Sequence, residues 1–465
     1  MRRLDGASAF MIYNDQPASY QHTLKIAILD ADAASSELDF NRILLEAQKA
    51  VQKFPMLMWK LAKVPMGLNH PVWIQDQDFE IAHHMRRIAC PGRKDKDAFC
   101  QLVAELYSQP LDQSRPLWQT WIVEGLAGGQ VALVTNLHHA YADGAGASML
   151  VQGVMSEDSV TSTKSSLELG VDPDMSPGTF EVLFKGLVDL PRVFIQGVPP
   201  VIKSMTNQKR LQREYMACGE ALPANGKDAP DSPLNTDYSH GRTFYYKNFM
   251  LSEFRQLSNH FNVSINDLLI AVVSGAVRRF YLENNHPITA PLICYIPINI
   301  RSNEQKQEVL GNHVDSGFVQ VPIHLEDPID RLQASKESAT TMKKYREAVG
   351  GSTLPKALEI LPPLVAKLVS REIRRSKGQM KMMGNLAISN VKGPRKPMNI
   401  YGRRVNRWLS IGQVGAGIGL NITAWSYVDN FSVCLLAERK VINNGPAFMS
   451  HLEAAFAEYQ DLINA

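Results

Sequence analysis

The sequence predicts an α/β protein built from two similar-sized units that face each other across a cleft. The chain has 465 residues, more than one ordinary hydrophobic core organises. Strand-like and helix-like apolar patterns alternate in both halves of the chain. Two polar tracts, residues 156–177 and 219–242, lie between the halves and are typical of linkers or surface loops. An interface between two such units is a common place for a binding cleft.

The boundaries follow from these tracts. We expect an N-terminal unit over residues 1–178, a helical connector and linker over 179–242, and a C-terminal unit over 243–465. The connector helix, 179–215, should break near Pro199 and Pro200 because proline lacks the amide hydrogen that a helix needs. Strands are predicted at 23–29, 118–123, 131–137, 292–300, 318–323, 386–391, 420–427 and 431–438. Helices are predicted at 39–54, 97–107, from 145 onward, and at 252–261, 264–281, 327–345, 354–380 and 445–462.

Composition excludes several classes of protein. The five cysteines are odd in number, widely spaced and without a CxxC pair, which favours neither a disulfide framework nor a zinc site. The N-terminus lacks the apolar run of a signal peptide. The apolar stretch at 357–370 is interrupted by charges and prolines and is shorter than the roughly 20 residues of a membrane span. We therefore expect a cytoplasmic protein without a transmembrane helix.

Charge is unevenly distributed along the chain. The net charge is only +3, but residues 331–407 carry +14 and the rest −11. A solvated helical face explains such a stretch in many proteins. The alternative is an anionic partner, either a phospholipid surface or the phosphates of a nucleotide-containing molecule. Aromatic residues are not interleaved with this stretch, so we expect no nucleic acid as partner.

The segment that most strongly predicts chemistry is HHAYADG at residues 138–144. It follows a β-branched apolar run, 131–137, so a strand delivers two histidines at its end. A neutral imidazole such as that of His139 can remove a hydroxyl proton. The chain has no GxSxG motif and no cysteine in a thiol-catalysis signature. This combination favours direct attack by a bound alcohol, amine or thiol.

Other interpretations of the motif remain open at this point. The histidines could be ordinary polar residues, or metal ligands together with Asp143, which could alternatively contact His139 or pair with a distant arginine. Adjacent strand residues point to opposite faces, which argues against one shared ion, and we expect no metal. The second pair, His83 and His84, lacks the downstream Asp-Gly and is predicted to be structural. The glycines between 412 and 419 precede a strand, which is the wrong context for a dinucleotide site and favours a turn near the cleft.

HHAYADG matches the HHxxxDG motif of the CoA-dependent acyltransferase superfamily, which includes peptide-synthetase condensation domains. Further segments, in the same order along nearly the whole chain, resemble the bacterial wax ester synthase/diacylglycerol acyltransferase family. They are LDQSRPLW at 111–118, followed by EGL at 124–126, ND at 266–267, PINIR at 297–301 with GN at 311–312, and SNVKGP at 389–394. Departures from the family wording are Lys392 in place of proline, Asn299 and Ser302 in the PINIR segment, and a loosely matching N-terminus. They bear on acceptor preference more than on reaction type.

The resemblance implies two chloramphenicol-acetyltransferase-like domains, each a mixed sheet flanked by helices, with a cleft or tunnel between them. It implies that His139 is the base, that His138 orients it, and that Asp143 is structural and paired with Arg301. Supporting positions are Gly144, Asn266 and Asp267; for the last two, helix capping is an equally good interpretation. A channel role is implied for Pro116, Leu117, Trp118, Gly311 and Asn312, although Trp118 also suits a core position.

The implied reaction moves a long-chain acyl group from acyl-CoA to diacylglycerol or a fatty alcohol without a covalent intermediate. Acyl-CoA is then a substrate, and no cofactor is expected. The basic region 331–407 is expected to attract CoA phosphates or to touch a membrane or lipid-droplet surface; its helical part at 364–375 has one apolar and one basic side, as a helix packed on its own core also would. Two alternatives are an acyltransferase with a carrier-bound donor and a lipid-droplet binding protein without activity.

Overall fold

A computed structural model describes residues 2–31, 39–92, 94–157, 179–220, 222–237, 239–301, 309–351, 353–376, 383–415 and 417–464. Sixteen strands and twelve α-helices are assigned within these ranges. The strands are β1 Arg2–Arg3, β2 His22–Leu29, β3 Trp59–Ala62, β4 Val72–Gln75, β5 Met85–Ala89, β6 Trp118–Glu124, β7 Val131–His138, β8 Ser156–Glu157, β9 Arg242–Met250, β10 Leu292–Asn299, β11 Val314–Val321, β12 Leu386–Lys392, β13 Met398–Ile400, β14 Arg403–Ile411, β15 Leu420–Tyr427 and β16 Asn430–Glu438. The helices are α1 Gly6–Asn14, α2 Phe40–Lys53, α3 Ile81–His84, α4 Lys96–Tyr107, α5 Gly144–Val154, α6 Thr179–Cys218, α7 Leu251–His260, α8 Ile265–Glu283, α9 Pro328–Val349, α10 Thr353–Ile360, α11 Pro363–Arg375 and α12 Gly445–Asn464.

Seven strands form the first sheet, in the order β5-β6-β7-β2-β14-β13-β8. Its centre is the antiparallel pair β2 and β7, in which His22 lies opposite His138. The next strand, β14, comes from the second half of the chain and pairs with β2 from Leu24 to Leu29. Residues 398–411 therefore complete the N-terminal sheet although they lie within the predicted C-terminal unit. The predicted domain boundaries follow the order of the chain. The hydrogen bonds instead place this segment of the second half in the sheet of the first half.

Six strands form the second sheet, in the order β11-β10-β12-β15-β16-β9. It is mixed, since β12 runs parallel to β10 and β15 while the other pairs are antiparallel. Helices α8 and α12 supply much of its core, and nearly every residue of α8 from Asp267 to Val277 is buried. The helix starts sharply because Ser264 and Asp267 form a reciprocal capping box.

The two sheets share an apolar core. Leu24, Ile26 and Ile28 of β2 pack in one cluster with Phe244 of β9 and Leu436 of β16. Helix α4 closes this cluster, as its predicted apolar side requires. Two mixed sheets flanked by helices, with a cavity between the halves, confirm the predicted fold class.

Several predicted elements differ from those observed. Helix α6 continues through Pro199 and Pro200, and it packs closely against α10, where Gly197 meets the side chain of Ile360. The prediction of a single helix over 354–380 is wrong for the described part of that range. The chain forms two helices there, α10 and α11, which are separated at Pro362 and Pro363. The break follows because the residue before a proline is disfavoured in helical conformation. Strands β13 and β14 were not predicted. Most of the tract 156–177 lies outside the described residues, but its start forms β8.

No single helix within the described ranges has the length and apolarity to cross a bilayer. Helices α7 and α8 reach the required length and apolarity only when they are taken together, and the chain bends by 99° between them. Since α8 is the buried core helix of the second sheet, protein packing already accounts for its composition.

Candidate active site

A cavity of about 420 Å³ lies between the two halves, and we name it the central cavity. His139, Asp143 and the first turn of α5 line one side. The opposite side comes from the second half of the chain, chiefly from β10, β12 and β15. Strand β14 contributes Ser410 to the wall, next to Thr23 and Lys25 of β2. The predicted cleft is therefore a real space, and the predicted base lines it.

His139 follows directly after β7, and its backbone N–H donates to the carbonyl of Gln21 at 2.8 Å. This bond extends the β2–β7 ladder by one residue, so the ring starts from a rigid backbone. Burial and, to a lesser extent, the nearby Lys25 ammonium lower the pKa of His139 to about 4, although Asp143 acts in the opposite direction. The ring is accordingly neutral near pH 7 and available to accept a proton.

His138 is fully buried, and its ring lies beside His22 and Asp15 in the N-terminal half. Its Nδ1 accepts a hydrogen bond from the backbone N–H of Ala140 at 3.0 Å, so the neutral ring carries its proton on Nε2. Burial holds the pKa of His138 well below its usual value, with His22 and His139 contributing in the same direction. His138 thus fixes the turn that follows β7.

Asp15, His22 and His138 bring three potential metal-ligand atoms within 4.8 Å of one another. A metal at Nε2 of His138 would need the lone pair of that atom, which the Ala140 bond assigns to a proton instead. The cluster is better suited to an N–H directed toward the Asp15 carboxylate, 3.8 Å away. That no metal takes part stays a prediction.

Asp143 joins the two halves of the chain. Its carboxylate oxygens lie 2.6 and 2.5 Å from Nη1 of Arg301, and both side chains are almost completely buried. The same carboxylate accepts backbone N–H bonds from Ala145 and Gly146, which caps α5, and from His313. All of its acceptor capacity is therefore used for structure, and it makes no hydrogen bond to His139.

The GN segment lies against the motif. Gly311 donates its N–H to the carbonyl of Tyr141 and forms a short bridge beside Ala142. Its φ of +101° requires glycine, since other residues are strained there. Asn312 and Gly144 both line the central cavity. Gly146 has a different constraint: a Cβ there would lie 2.4 Å from the carbonyl oxygen of Val309.

The ND segment is set back from the base. Asp267 belongs to the capping box of α8, which favours its structural interpretation. Asn266 does not line the central cavity, but its Oδ1 accepts a hydrogen bond at 2.7 Å from Asn390, which does. Asn266 is therefore placed to act through Asn390.

Pro116, Leu117 and Trp118 do not line the central cavity either. Trp118 lies on a second, smaller space of about 120 Å³ between the first sheet and helices α2 and α5, which we name the apolar cavity. Its indole donates to the carbonyl of Leu57, and His84 stacks on it at 4.5 Å, which gives His84 the structural role that was predicted. Leu117 is buried and accepts the N–H of His138.

Sequence reasoning missed Lys25. This residue is 5% exposed and lines both the central and the apolar cavity. Its ammonium donates to the hydroxyls of Thr23 at 3.0 Å and Ser410 at 2.6 Å. Burial lowers the pKa of Lys25 to about 7, whereas Cys434 and Asp143 act in the opposite direction. A single cation inside the otherwise apolar run LKIAIL was the available signal.

A third space of about 300 Å³, which we name the basic pocket, adjoins the central cavity at Asn390 and Lys392. Arg255, Lys392 and Arg395 line it, together with the N-terminal turn of α8. No acidic side chain lines it among the described residues. Cations and a helix N-terminus together favour anions.

Comparison with known proteins agrees with this geometry. The wax ester synthase/diacylglycerol acyltransferase catalytic domain matches residues 4–269, and the C-terminal domain of the same family matches residues 310–460. A Mycobacterium tuberculosis protein named as a diacylglycerol O-acyltransferase is 33% identical over 460 residues, 98% of this chain and 97% of its own length. The O-acyltransferase WSD of Acinetobacter baylyi is 27% identical over 405 residues, 85% of this chain and 84% of its own.

Solved structures share the fold. The wax ester synthase/diacylglycerol acyltransferase from Marinobacter aquaeolei VT8 superposes with a TM-score of 0.68 at 18% identity, covering 100% of both chains. The first condensation domain of the CDA synthetase superposes with a TM-score of 0.60 at 12% identity, covering 99% of this chain and 97% of its own. With both of its domains matched in order, this chain belongs to the wax ester synthase/diacylglycerol acyltransferase family.

Proposed function

We propose that the protein is an O-acyltransferase that moves a long-chain acyl group from acyl-CoA to a lipid alcohol, diacylglycerol or a fatty alcohol. The observation that carries this proposal is the neutral imidazole of His139 on the wall of the central cavity. The imidazole takes the hydroxyl proton while the oxygen attacks the thioester carbonyl. The tetrahedral intermediate collapses, the C–S bond breaks, and the thiolate takes the proton from the imidazolium. The ester and free CoA leave, and no acyl-enzyme forms.

The other motif residues are assigned supporting roles. His138 and the Asp143–Arg301 ion pair hold the loop that carries His139, and Gly144 starts α5 beside the reacting groups. Asn266 positions Asn390 on the cavity wall. Asn312 lines the cavity from the second half of the chain, and Gly311 pairs with Ala142 beside it. The proposal includes no metal or other cofactor.

The basic pocket supports CoA as the carrier of the acyl group. Of its three cations, Lys392 also lines the central cavity. Phosphates held in the basic pocket would therefore leave the thioester free to extend toward His139. Arginine and lysine side chains bind phosphate through charge-assisted hydrogen bonds. Part of the basic region 331–407 has another use: Arg331 is buried against Glu458, and Arg346 pairs with Asp315.

The apolar cavity supports a long acyl chain. Its walls are almost entirely apolar, and it touches the central cavity at Lys25 and along α5. An acyl chain entering it would be covered by α2 and α5 on one side and the first sheet on the other. Trp118, rather than Pro116 or Leu117, would contact such a chain.

Helix α11 supports peripheral contact of a cytoplasmic enzyme with a membrane or lipid droplet. Leu364 and Leu368 are more than 60% exposed, while Ala366 and Ser370 face α1. Lys367, Arg371 and Arg375 are exposed on the same helix. An apolar face bordered by cations is the pattern of an interfacial helix on anionic lipid. Since α1 also contributes Met11 to the central cavity, a lipid acceptor would have a short path inward.

The test is a transfer assay with purified protein, palmitoyl-CoA, and either hexadecanol or a diacylglycerol, with the products analysed by mass spectrometry. The expected result is saturable ester formation that His139→Ala abolishes. Transfer from palmitoyl-carrier protein but not from palmitoyl-CoA would assign a carrier-bound donor instead. Absence of product with every donor and acceptor, in a folded protein that still binds lipid droplets, would assign a binding protein.

A further inference from the structure

Lys25 places a cation in the central cavity, and no described residue forms an ion pair with it. Within the described residues its ammonium has two hydrogen-bond partners, and both are neutral hydroxyls. An ammonium has three N–H groups, so one donor is left for a ligand. Burying a cation without a counter-ion is unfavourable unless something compensates it.

The surroundings of Lys25 orient its charge toward the cavity. On β2, Thr23 and Lys25 project to the same face, and Ser410 lies on the neighbouring strand β14. The indole of Trp425 lies beside the ammonium, 5.3 Å from ring centroid to Nζ. The aliphatic part of Lys25 covers the apolar cavity, while its polar end is held beside the central one.

We propose that Lys25, supported by Thr23 and Ser410, is a binding subsite for a carboxylate on the acceptor, so that the preferred acceptors are hydroxy acids with the carboxylate close to the hydroxyl. The assignment rests on the proposed function, because His139 must hold the hydroxyl. Lys25 and His139 line one cavity of about 420 Å³, so a single acceptor can place its hydroxyl at His139 and its carboxylate at Lys25. One cation with one unused donor matches a monoanion.

The electrostatics agree with this arrangement. The charge of Lys25 is one of the causes that keep the pKa of His139 low. A carboxylate on Lys25 would neutralise that charge and make His139 a stronger base when the acceptor is in place. The same carboxylate would favour the protonated lysine, so acceptor binding takes up a proton above pH 7.

Two other roles of Lys25 are distinguishable. It could activate Ser410 as a nucleophile, but its ammonium donates to the Ser410 hydroxyl and so does not accept the proton of that group. It could stabilise the oxyanion of the tetrahedral intermediate, in which case it would help every acceptor equally.

The experiment compares three acceptors with palmitoyl-CoA: 3-hydroxyhexadecanoate, its methyl ester, and hexadecanol. The variants are Lys25→Met, which retains the length of the side chain, and the control Lys440→Met, which removes an exposed cation that lines neither cavity. The wild type should prefer the acid over the methyl ester in kcat/KM. Lys25→Met should lower that ratio about 10- to 100-fold, as expected for a hydrogen bond to a charged group, whereas Lys440→Met should not change it. The wild-type preference should also decline between pH 7 and 9.

Other outcomes overturn the subsite. An unchanged ratio in Lys25→Met, or an equal loss with all three acceptors, contradicts it while leaving the acyltransferase proposal intact. A palmitoylated Ser410 in intact-protein mass spectrometry would assign Lys25 to nucleophile activation. If no acceptor reacts, direct calorimetric binding of the acid and its methyl ester to wild type and Lys25→Met still decides the question.

Discussion

The central cavity and the apolar cavity are built from the same sheet and differ in what covers it. Strands β2 and β14 contribute residues to both cavities. Strand β7 lines the apolar cavity and leads directly into His139 in the central one. Helices α2 and α5 cover the apolar cavity with alanine, valine and leucine side chains. Strands β10, β12 and β15 of the second sheet cover the central cavity and bring asparagine, serine and threonine side chains to it. A space within one half of the fold is apolar, and a space between the halves collects polar groups.

In the proposed function, this difference assigns binding of the acyl chain to the apolar cavity and proton transfer to the central cavity. Polar groups in the central cavity can hold a proton donor and a developing charge, whereas the apolar cavity can only hide hydrocarbon. Lys25 marks the border, with its stem on one side and its ammonium on the other.

His139→Ala should have the largest effect. Removing the general base from the central cavity should lower kcat about 100- to 10,000-fold, while binding of the acyl donor in the apolar cavity persists. Steady-state kinetics and direct binding of palmitoyl-CoA measure the two quantities. His83→Ala, at an exposed histidine outside both cavities, is the matched control. Comparable activity in the two variants would remove His139 from the mechanism.

Asp143→Ala should act through stability. It removes the carboxylate that pairs with the buried guanidinium of Arg301 and that caps α5, for a loss of about 3–5 kcal/mol in the free energy of unfolding. Denaturant unfolding measures this loss. The double variant with Arg301→Leu should recover part of it, since no charge is then left unpaired. Strict additivity of the two single losses would show that the ion pair does not couple the halves.

Ala147→Leu should affect the apolar cavity alone. Ala147 is buried on α5 and lines that space, so a larger side chain shortens it. The KM for palmitoyl-CoA should rise about tenfold, while hexanoyl-CoA is used as before. The short donor serves as the internal control. Equal effects on both donors would place the acyl chain elsewhere.

Leu364→Asp combined with Leu368→Asp should reduce binding to anionic vesicles, because it places charge on the exposed face of α11. Activity on diacylglycerol in vesicles should fall about three- to fivefold, because less enzyme is bound at the vesicle surface. Activity on a short, water-soluble alcohol should not change. Leu282→Asp alters another exposed leucine and is the control for vesicle sedimentation. Identical sedimentation of all variants would exclude α11 as the contact.

Acid pH should have the smallest effect within the accessible range. His139 must be neutral to act, and its pKa of about 4 places the loss of activity at low pH. With hexadecanol, an acceptor without a carboxylate, activity should be constant from about pH 6 to 8 and reach half its plateau near pH 4, with falling pH as the direction of loss. Circular dichroism at each pH separates this titration from unfolding. A half-maximum near pH 6.5 in folded protein would contradict the burial of this ring.

Much of the fold and part of the candidate site could be predicted from the sequence. The strand ending at His138 and the helix starting at Gly144 are local patterns, since an apolar β-branched run and an Asp-Gly cap act on their own neighbours. Long elements such as α8 and α12 follow from their apolar periodicity. Strand β14 escaped prediction because Arg403, Arg404 and Arg407 obscure its apolar alternation, and β13 is only three residues long. Their place in the first sheet depends on pairing with β2, which no local pattern encodes.

The sequence by itself determined the motif, its strand and the resemblance that names its chemistry. Only the tertiary structure decided that Asp143 uses its oxygens on Arg301 and backbone amides rather than on His139, because those groups converge from distant parts of the chain. It also decided that Lys25, one residue in an apolar strand, lies with His139 on a shared cavity. Charge and burial depend on what packs around a residue, and that packing exists only once both sheets are in place.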